Sequence, residues 1–493
     1  MSMGRRQNRQ SPLWIAHDEI SQGPGHRFYE TLNELLREAS FDRHAEALCA
    51  PYYEAAHVPG RKSVAPGIYF RMHLVGFFEG IESERGLEWR FADSLSLRQF
   101  LGLPLTQRVP DHSTLSRTRQ RLPLAVHQAV FALILGIVET KGLLKGRVLG
   151  VDSTYLRADA SMKAIVRRDT KESYAEFVTR LAVEAGVPTP TAEEARRLDR
   201  TRKGKKTSNR EWVSRTDQDA RIAKLKDGRT RLAYKPEHVV DLETGAIVAA
   251  VVHGADVADP ASLDTSLARA ESNLHTARGG APAAAPAAPA PKTATPPPGG
   301  RRPRRKVVAD KGYHKATLLR RLKDQRYRTY IPERRQAGRR RWTDKGGTPT
   351  AAAFHQNRAR GMRPLGKRYH RWRSERVERT FAHVCETGGA RRTRLRGRAN
   401  VEKRYLLQAA GANLALVMRT LYGLGTPRGW AERAQEALRA FLASMRVFWH
   451  RWWAPLWSRV TFLRALAPYW SPRTDLISWS RPDCWPGHKS TGC

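Results

Sequence analysis

The fold is decided by Lys145-Gly-Arg-Val-Leu-Gly-Val-Asp-Ser-Thr-Tyr155, a stretch that follows a long helical region. Val148, Leu149 and Val151 are apolar and prone to form strands, and the glycine among them lets another backbone or a ligand come close. The pattern predicts a short buried strand that ends on the carboxylate of Asp152. An aspartate at a strand end is often only a turn or cap residue, so its role depends on the rest of the chain.

Two later stretches add further acidic residues. Lys306-Val-Val-Ala-Asp-Lys-Gly-Tyr-His314 again predicts a strand that ends on an aspartate, Asp310, and Glu375-Arg-Val-Glu-Arg-Thr-Phe-Ala-His383 predicts a helix with two glutamates. Carboxylates from two strand ends and one helix are the ligands that Mg²⁺ prefers. A two-metal site, with ions roughly 4 Å apart, would suit an in-line phosphoryl displacement. Without ions or another counter-charge, carboxylates this close would repel.

Helix geometry distinguishes the two glutamates. The apolar stripe of the helix consists of Val377, Phe381 and Val384. Glu378 borders this stripe more closely than Glu375 and is therefore predicted to face the sheet and Asp152. Glu375 is expected to pair with Arg371 or a neighbouring arginine. The predicted catalytic and metal-binding residues are Asp152, Asp310 and Glu378.

The remaining patterns predict the order of the elements around these residues. Residues 237–253 predict a hairpin with the turn Asp-Leu-Glu-Thr-Gly, and further elements are expected at 261–277 (helix), 315–323 (helix), 327–331 (strand) and about 402–422 (helix). The order β(insertion)ββ-α-β-α-β-α is that of a ribonuclease H-like mixed sheet with flanking helices. Residues 26–145 predict an all-α region, so the fold class is α/β preceded by helices.

The charge of the chain indicates its partner. The 493 residues carry a formal net charge of +41, which fits a protein that neutralises nucleic-acid phosphates. The four cysteines lack zinc spacing, and the chain begins without an apolar signal segment. We therefore expect a cytoplasmic protein without disulfides that associates with the nucleoid when bound to DNA and has no membrane partner.

Several basic residues are predicted DNA contacts. Asp111 or Ser113 can cap a short helix that presents arginines to solvent as a recognition helix would, although such helices are commonly only solvated faces. Residues 160–230 predict a basic, largely helical insertion that forms a phosphate-contacting arm or a flexible loop. The predicted DNA-binding residues are Arg117, Arg119, Arg121, Arg202, Lys203, Lys205, Lys206, Lys311 and Arg371.

Composition also suggests the domain boundaries. We predict a helical DNA-binding domain at 12–145 and a catalytic domain at 146–425, which includes the basic insertion at 160–230. Within the catalytic domain, the Ala/Pro-rich segment 278–305 is predicted to be a loop without a core of its own. A Trp- and Arg-rich tail, 426–493, follows; it could contact a partner or DNA, or be a poorly ordered extension.

The three acidic motifs resemble those of DDE transposases of bacterial insertion sequences. The similar stretches are Leu-Gly-Val-Asp152-Ser-Thr, Val-Val-Ala-Asp310-Lys-Gly-Tyr-His and Val-Glu378-Arg-Thr-Phe-Ala-His, together with 76–86, 110–116, 208–212, 219–230 and 395–400. The resemblance covers roughly residues 12 to 430. Many relatives carry a lysine one or two turns beyond the glutamate, but Cys385 stands seven residues beyond Glu378 in this chain.

This resemblance implies a transposase with a ribonuclease H-like catalytic domain. Such an enzyme would use Mg²⁺, which Mn²⁺ can replace, to cleave double-stranded DNA at terminal inverted repeats and transfer the 3′-OH ends into target DNA. It would act as a homo-oligomer on DNA. Two alternatives share parts of this description: a catalytically silent DNA-binding relative, and a ribonuclease H-like structure-selective nuclease without strand transfer.

Overall fold

The computed structural model describes residues 26–53, 63–203, 207–225, 227–280, 305–334, 342, 347–427 and 441–447. The chain divides into two compact units, Met1–Trp430 and Ala431–Cys493. In the second unit the described residues, 441–447, are helical and exposed. Residues 281–304 of the Ala/Pro-rich segment and nearly all of the Trp-rich tail lie outside the described residues. The predicted domain boundaries stay predictions.

The first unit begins with helices, as predicted for residues 26–145. They are α1 (Arg27–Glu38), α2 (Phe41–Cys49), α3 (Pro66–Glu79), α4 (Glu84–Ala92), α5 (Leu95–Phe100), α6 (His112–Arg121) and α7 (Leu124–Thr140). Both α3 and α7 are apolar on nearly all sides, and a helix of that composition is stable only when other elements surround it. They therefore form the centre of the helical region.

A mixed α/β region follows, and it confirms the predicted fold class. Its strands are β1 (Val148–Ser153), β2 (Leu156–Arg157), β3 (Ile165–Arg167), β4 (Trp212–Ser214), β5 (Arg221–Lys224), β6 (Thr230–Asp241), β7 (Ile247–Gly254), β8 (Lys306–Ala309) and β9 (Arg328–Tyr330). Its helices are α8 (Tyr174–Glu184), α9 (Ala192–Thr201), α10 (Asp259–Ala277), α11 (Ala316–Asp324), α12 (Gly347–Met362), α13 (Pro364–Ala382) and α14 (Arg398–Tyr422).

The main sheet is ordered around β1 and β6. The path of paired strands is β2-β6-β1-β8-β9, and β5 and β7 also pair with β6. β1 is antiparallel to β6 but parallel to β8, and β9 is parallel to β8. The predicted hairpin is present as β6 and β7, although β6 begins at Thr230, earlier than expected, because its first residues pair with β2 and β5.

The basic insertion differs in part from the prediction. It contains the helices α8 and α9, but β3 and β4 form a separate two-stranded sheet within it. Its last segment, β5, joins the main sheet, because its backbone pairs with the first residues of β6. The insertion is therefore a small folded α/β module whose end is part of the main sheet.

Helix α14 joins the helical region to the sheet. It packs against α3, α7 and β7, and most of its residues from Val401 to Met418 are buried. A Cβ atom at Gly411 would lie only 2.6 Å from the ring of Phe77 on α3, so glycine allows the two helices to approach closely. Contacts of this kind make residues up to 430 one compact unit.

Among the described residues, no individual helix has the length and apolar composition needed to cross a membrane. Helices α6 and α7 meet these two criteria only as a pair, and they are bent by 98° with respect to each other.

Candidate active site

Two of the predicted acidic residues lie side by side at the end of the sheet. Val151 of β1 pairs with Ala309 of β8 in parallel register, so the next residues, Asp152 and Asp310, emerge at the same edge. Neighbouring strands lie about 4.8 Å apart, which brings the two carboxylates close together. Asp310 precedes a 3-10 turn but makes no capping hydrogen bond with its side chain, so a simple capping role does not explain it.

Arg373 of α13 provides a counter-charge to this pair. Its Nη1 donates to Oδ2 of Asp152 at 2.6 Å, and its Nη2 lies 4.0 Å from Oδ1 of Asp310. The arginine side chain is 11% exposed, whereas that of Asp310 is 47% exposed. Since carboxylates at this separation repel each other, the positive charge of the guanidinium offsets part of that repulsion. A counter-charge was expected from the sequence, but Arg373 was not among the predicted residues.

Burial and charge act on Asp152 in opposite directions. Burial raises the pKa of its carboxyl above the ordinary value, and Asp310 adds to that effect. Arg373 and the backbone N–H of Ser153, which donates to Oδ1 at 2.8 Å, lower the pKa. The balance leaves the pKa raised, so this carboxylate gains from a cation bound nearby.

Glu378 does not join the two aspartates in this structure. Its side chain is exposed, and it makes no hydrogen bond or ion pair with any described residue. Among the described residues, no three acidic, His or Cys side chains lie close enough to bind one metal ion. Glu375 is also exposed and pairs with Arg379 at 2.9 Å, as expected for a neighbouring arginine. The assignment of Glu378 as the third ligand stays a prediction.

The face of α13 that packs on the sheet explains this arrangement. Val377 is fully buried, and a Cβ at Gly150 would lie 3.0 Å from its side chain. Arg373 lies one turn before Val377 and therefore on the same face, whereas Glu378 is rotated about 100° further around the helix. An arginine in the apolar stripe of a helix was the sequence signal that could have identified Arg373.

A buried histidine fixes α13 against the sheet on the same side. His238 lies opposite Asp152 in the β1–β6 register, and its ring stacks on Phe381 with centroids 4.1 Å apart. The hydroxyl of Thr380 donates its hydrogen bond to the carbonyl of Val377. The hydroxyl oxygen therefore accepts from Nδ1–H of His238 at 3.0 Å.

The hydroxyl of Tyr405 then donates to Nε2 of His238 at 2.8 Å. Burial lowers the pKa of His238 to about 3, so the ring is neutral and both nitrogens are satisfied. The histidine thus connects β6, α13 and α14 beside Asp152 on the sheet.

The opposite face of the sheet carries a polar network that the sequence analysis also missed. Glu237 accepts hydrogen bonds from Ser262 at 2.7 Å and from Ser266 at 3.1 Å, both on α10. It also accepts from Tyr313, which follows Asp310, at 3.3 Å. Burial raises the pKa of Glu237 to about 7, although the two serines and Lys235 lower it. This network holds the loop after Asp310 onto the sheet.

Apart from Arg119, the predicted DNA contacts fall into three groups. Arg117, Arg121, Lys203, Lys311 and Arg371 are exposed, so they are free to approach a phosphate. Lys205 and Lys206 lie outside the described residues. Arg202 is half-buried, where it pairs with Asp199 at 2.8 Å and lies over the ring of Phe177.

The predicted exposure of Arg119 is wrong. This residue is 7% exposed and pairs with Glu84 of α4, while its backbone carbonyl accepts from Lys403 of α14. The helix α6 does begin as predicted, because Asp111 accepts a hydrogen bond from the backbone N–H of Thr114 at 2.6 Å. Arg119 is buried because α4 and α14 cover the face of α6 on which it lies.

Comparison with known families gives two matches. Residues 17–121 match the family model described as Transposase domain (DUF772), and residues 334–418 match the model described as Transposase DDE domain. The second match includes α13, with Arg373 and Glu378, and most of α14. No curated protein and no solved structure matches the chain.

Proposed function

Since this chain is a DDE transposase of an insertion sequence, we propose that it binds the terminal inverted repeats of its element and cleaves at the element ends. It then transfers the 3′-OH ends into target DNA. The observation that carries the proposal is the adjacent pair Asp152 and Asp310, held by Arg373 in a chain whose flanking segments match transposase domains.

Transposases of the DDE type use divalent metal ions, and the oxygen ligands of Asp152 and Asp310 suit such an ion. We propose Mg²⁺, in a two-metal site that Mn²⁺ could also fill, with Glu378 as the third ligand. When bound, the ions would supply an activated attacking oxygen and stabilise the leaving oxygen. The chain itself positions the two aspartates on neighbouring strands, and Arg373 supplies one positive charge beside them before a metal binds.

The exposed position of Glu378 suggests that the site closes when its ligands bind. Glu378 would have to turn toward the strand ends, and Arg373 would then share the aspartates with the cation. The freed N–H donors of Arg373 could contact a phosphate oxygen of the DNA. His238, held on three sides, keeps α13 in register during such a change.

Oligomerisation on DNA is part of the same proposal. Joining an element to a target involves two ends, and one active site of this kind holds one scissile phosphate, so at least two protomers are needed. A chain with a net charge of +41 repels its own copies until DNA neutralises it, and we expect pairing only on DNA in the cytoplasm.

The test replaces the proposed ligands one at a time. In the full-length protein, Asp152→Asn, Asp310→Asn and Glu378→Gln should each lower Mg²⁺-dependent cleavage of an element-end duplex by at least about a hundredfold. Glu375→Gln, three residues away on the same helix and also exposed, is the matched control and should cleave normally. DNA affinity and thermal melting are measured in parallel, because Asp152→Asn also removes a partner of a buried arginine.

Three results would contradict the proposal. Normal cleavage by the Asp152 and Asp310 variants would show that the carboxylate pair is not the active site. Loss of cleavage in Glu375→Gln but not in Glu378→Gln would show that Glu375, and not Glu378, is the third ligand. Cleavage without any transfer of 3′-OH ends into a target duplex would favour the structure-selective nuclease.

A further inference from the structure

A second basic surface lies between the π-helical turn His383–Thr387 and α14. We call residues 388–398 the arginine loop. Its exposed arginines are Arg391, Arg392, Arg394, Arg396 and Arg398. None of these residues was among the predicted DNA contacts, and neither the carboxylate pair nor the α6 surface uses them.

The backbone of the arginine loop is held in place along the sheet. The N–H of Arg157 on β2 donates to the carbonyl of Arg391 at 3.1 Å, and the N–H of Thr393 donates to the carbonyl of Arg157 at 2.9 Å. The segment therefore pairs with β2 through one isolated bridge between residues 157 and 392. Since its backbone is already ordered, the loop would lose little entropy on binding.

Two aspartates of the segment before β5 anchor the end of the arginine loop. The N–H of Gly397 donates to buried Asp217 at 3.2 Å, and the N–H of Arg398 donates to Asp219 at 2.9 Å. Asp217 also accepts from the hydroxyl of Tyr234 at 2.7 and 2.8 Å. Gly397 has φ +80°, a conformation that favours glycine, so the turn into α14 is specified by this residue.

This anchoring explains why several stretches of the family resemblance occur together. The stretch 395–400 is far in sequence from the neighbouring stretches 208–212 and 219–230, but all three meet here. The side chain of Asn209 bonds both the N–H and the carbonyl of Ile222, at 2.7 and 2.9 Å. These stretches therefore build a support, and what the support presents to solvent is the row of arginines.

The arginine loop lies in line with the active site. Asp152 is opposite His238 on β6, and Arg157 of β2, which bridges to the loop, is opposite Ala233, five residues away on the same strand. Five residues of a strand span about 17 Å. Phosphates of one DNA strand follow each other about every 3.4 Å along the helix axis, so this spacing equals the length of roughly five nucleotides.

The arginines of the loop are only partly neutralised. Arg392 and Arg396 share Asp159, at 3.2 and 3.3 Å. The other ion pairs of the loop in the described residues are Arg391–Glu386 at 2.5 Å and Arg394–Glu82 at 3.5 Å. The four side chains are between 53% and 71% exposed. A guanidinium has five N–H donors, so each of these contacts leaves donors available for phosphate oxygens.

We propose that the arginine loop binds the phosphate backbone of the DNA duplex next to the scissile position. This inference rests on the proposed function, because it concerns the DNA that the active site would cleave. The contacts go to phosphates and position the duplex without reading its sequence. The loop thereby extends the DNA surface from the carboxylate pair along the β2 edge of the sheet.

The experiment removes two charges from the loop of the full-length protein. Arg391→Gln combined with Arg394→Gln leaves the shared Asp159 contacts intact. The matched control is Arg320→Gln combined with Arg358→Gln, because these arginines lie on α11 and α12 near β9 and each pairs with one carboxylate, Asp324 or Glu333. DNA affinity is measured by fluorescence anisotropy over a series of salt concentrations, with an element-end duplex and a random duplex.

The slope of log affinity against log salt should fall by about two in the loop variant, close to one for each phosphate contact. The decrease in this slope should be equal for both duplexes and absent in the control variant. Arg391→Lys combined with Arg394→Lys should restore most of the slope, since the charge is kept. Thermal melting of each variant shows whether folding is unchanged.

Two outcomes would overturn the inference, and they are distinguishable. If the wild type binds DNA and the loop variant has the same affinity and slope, the loop is not a DNA contact although the proposed function stands. If the wild type binds neither duplex at any salt concentration, the proposed function fails and this inference fails with it.

Discussion

Helix α6 and the arginine loop are both rich in arginine, but they use it differently. Helix α6 buries Arg119 against Glu84 and exposes Arg117 and Arg121, so one helix serves both packing and surface. All arginines of the arginine loop are exposed, while its backbone is held in place by hydrogen bonds to Asp217 and Asp219. The difference teaches that arginine density alone does not mark a DNA surface; what matters is which face other elements cover.

The largest difference between a packed and an exposed arginine is expected at Arg119. Arg119→Gln should lower the free energy of unfolding by about 3 kcal/mol, because Glu84 is then left almost buried without its counter-charge. Arg117→Gln, two residues earlier and exposed, should change stability by less than about 0.5 kcal/mol. Chemical denaturation of the two variants measures the difference.

The DNA affinity of these two variants should show the reverse pattern. Arg117→Gln should reduce the salt slope by about one, whereas Arg119→Gln should leave it unchanged under conditions in which the protein is folded. A fall in slope for Arg119→Gln, or none for Arg117→Gln, would mean that α6 is not divided into a packed and a DNA-facing side.

A smaller effect is expected at the start of α6. Hydrogen bonds from Ser113 and from the backbone N–H of Thr114 lower the pKa of Asp111 to about 2. The folded pKa lies below the unfolded value, so the stabilisation is complete above about pH 4 and is lost as the pH falls through 2.

Asp111→Ala should therefore cost about 1 kcal/mol at pH 7 and nearly nothing at pH 2. Asp111→Asn should keep most of the stability at pH 7, since the amide oxygen still accepts from Thr114. Thermal melting across this pH range provides the measurement, and a constant difference between wild type and Asp111→Ala would argue against the cap.

The smallest effect concerns the support of the arginine loop. Asp219→Ala removes the acceptor for the N–H of Arg398 but leaves all arginines in place. We expect DNA affinity to fall by about threefold, because part of the loop must be ordered on binding, with an unchanged salt slope. Gln218→Ala, at the exposed neighbouring position, should bind as the wild type does. A lower slope in Asp219→Ala would show that the anchor itself determines how many phosphates are contacted.

Much of the fold follows from local patterns. The apolar β-prone run before Asp152, the hairpin turn at 241–245 and the helical spacing around Val377 each predicted an element that the structure contains. Of the two predicted caps of α6, Asp111 and Ser113, it is Asp111 that caps the helix. These predictions succeed because hydrogen bonding and apolar periodicity act over a few residues.

The candidate site was only partly predictable. That Asp152 and Asp310 lie together followed from two strand ends, but the position of Glu378 did not follow from its distance to the apolar stripe. A side chain that borders a stripe can turn to either side, and only the packing of α13 decides between them. Arg373 was missed because an arginine on an apolar face looks unfavourable until its partner is known.

Local patterns in the amino-acid sequence are enough to predict the order of the elements, the basic character of the chain and two aspartates at strand ends. The tertiary structure decided which charges meet, since Arg373 and Asp152 are 221 residues apart. It also decided that Arg119 is buried and that the arginine loop is exposed. Burial and ion pairing depend on contacts between distant segments, whereas a local pattern specifies only the secondary structure and the side chains of each segment.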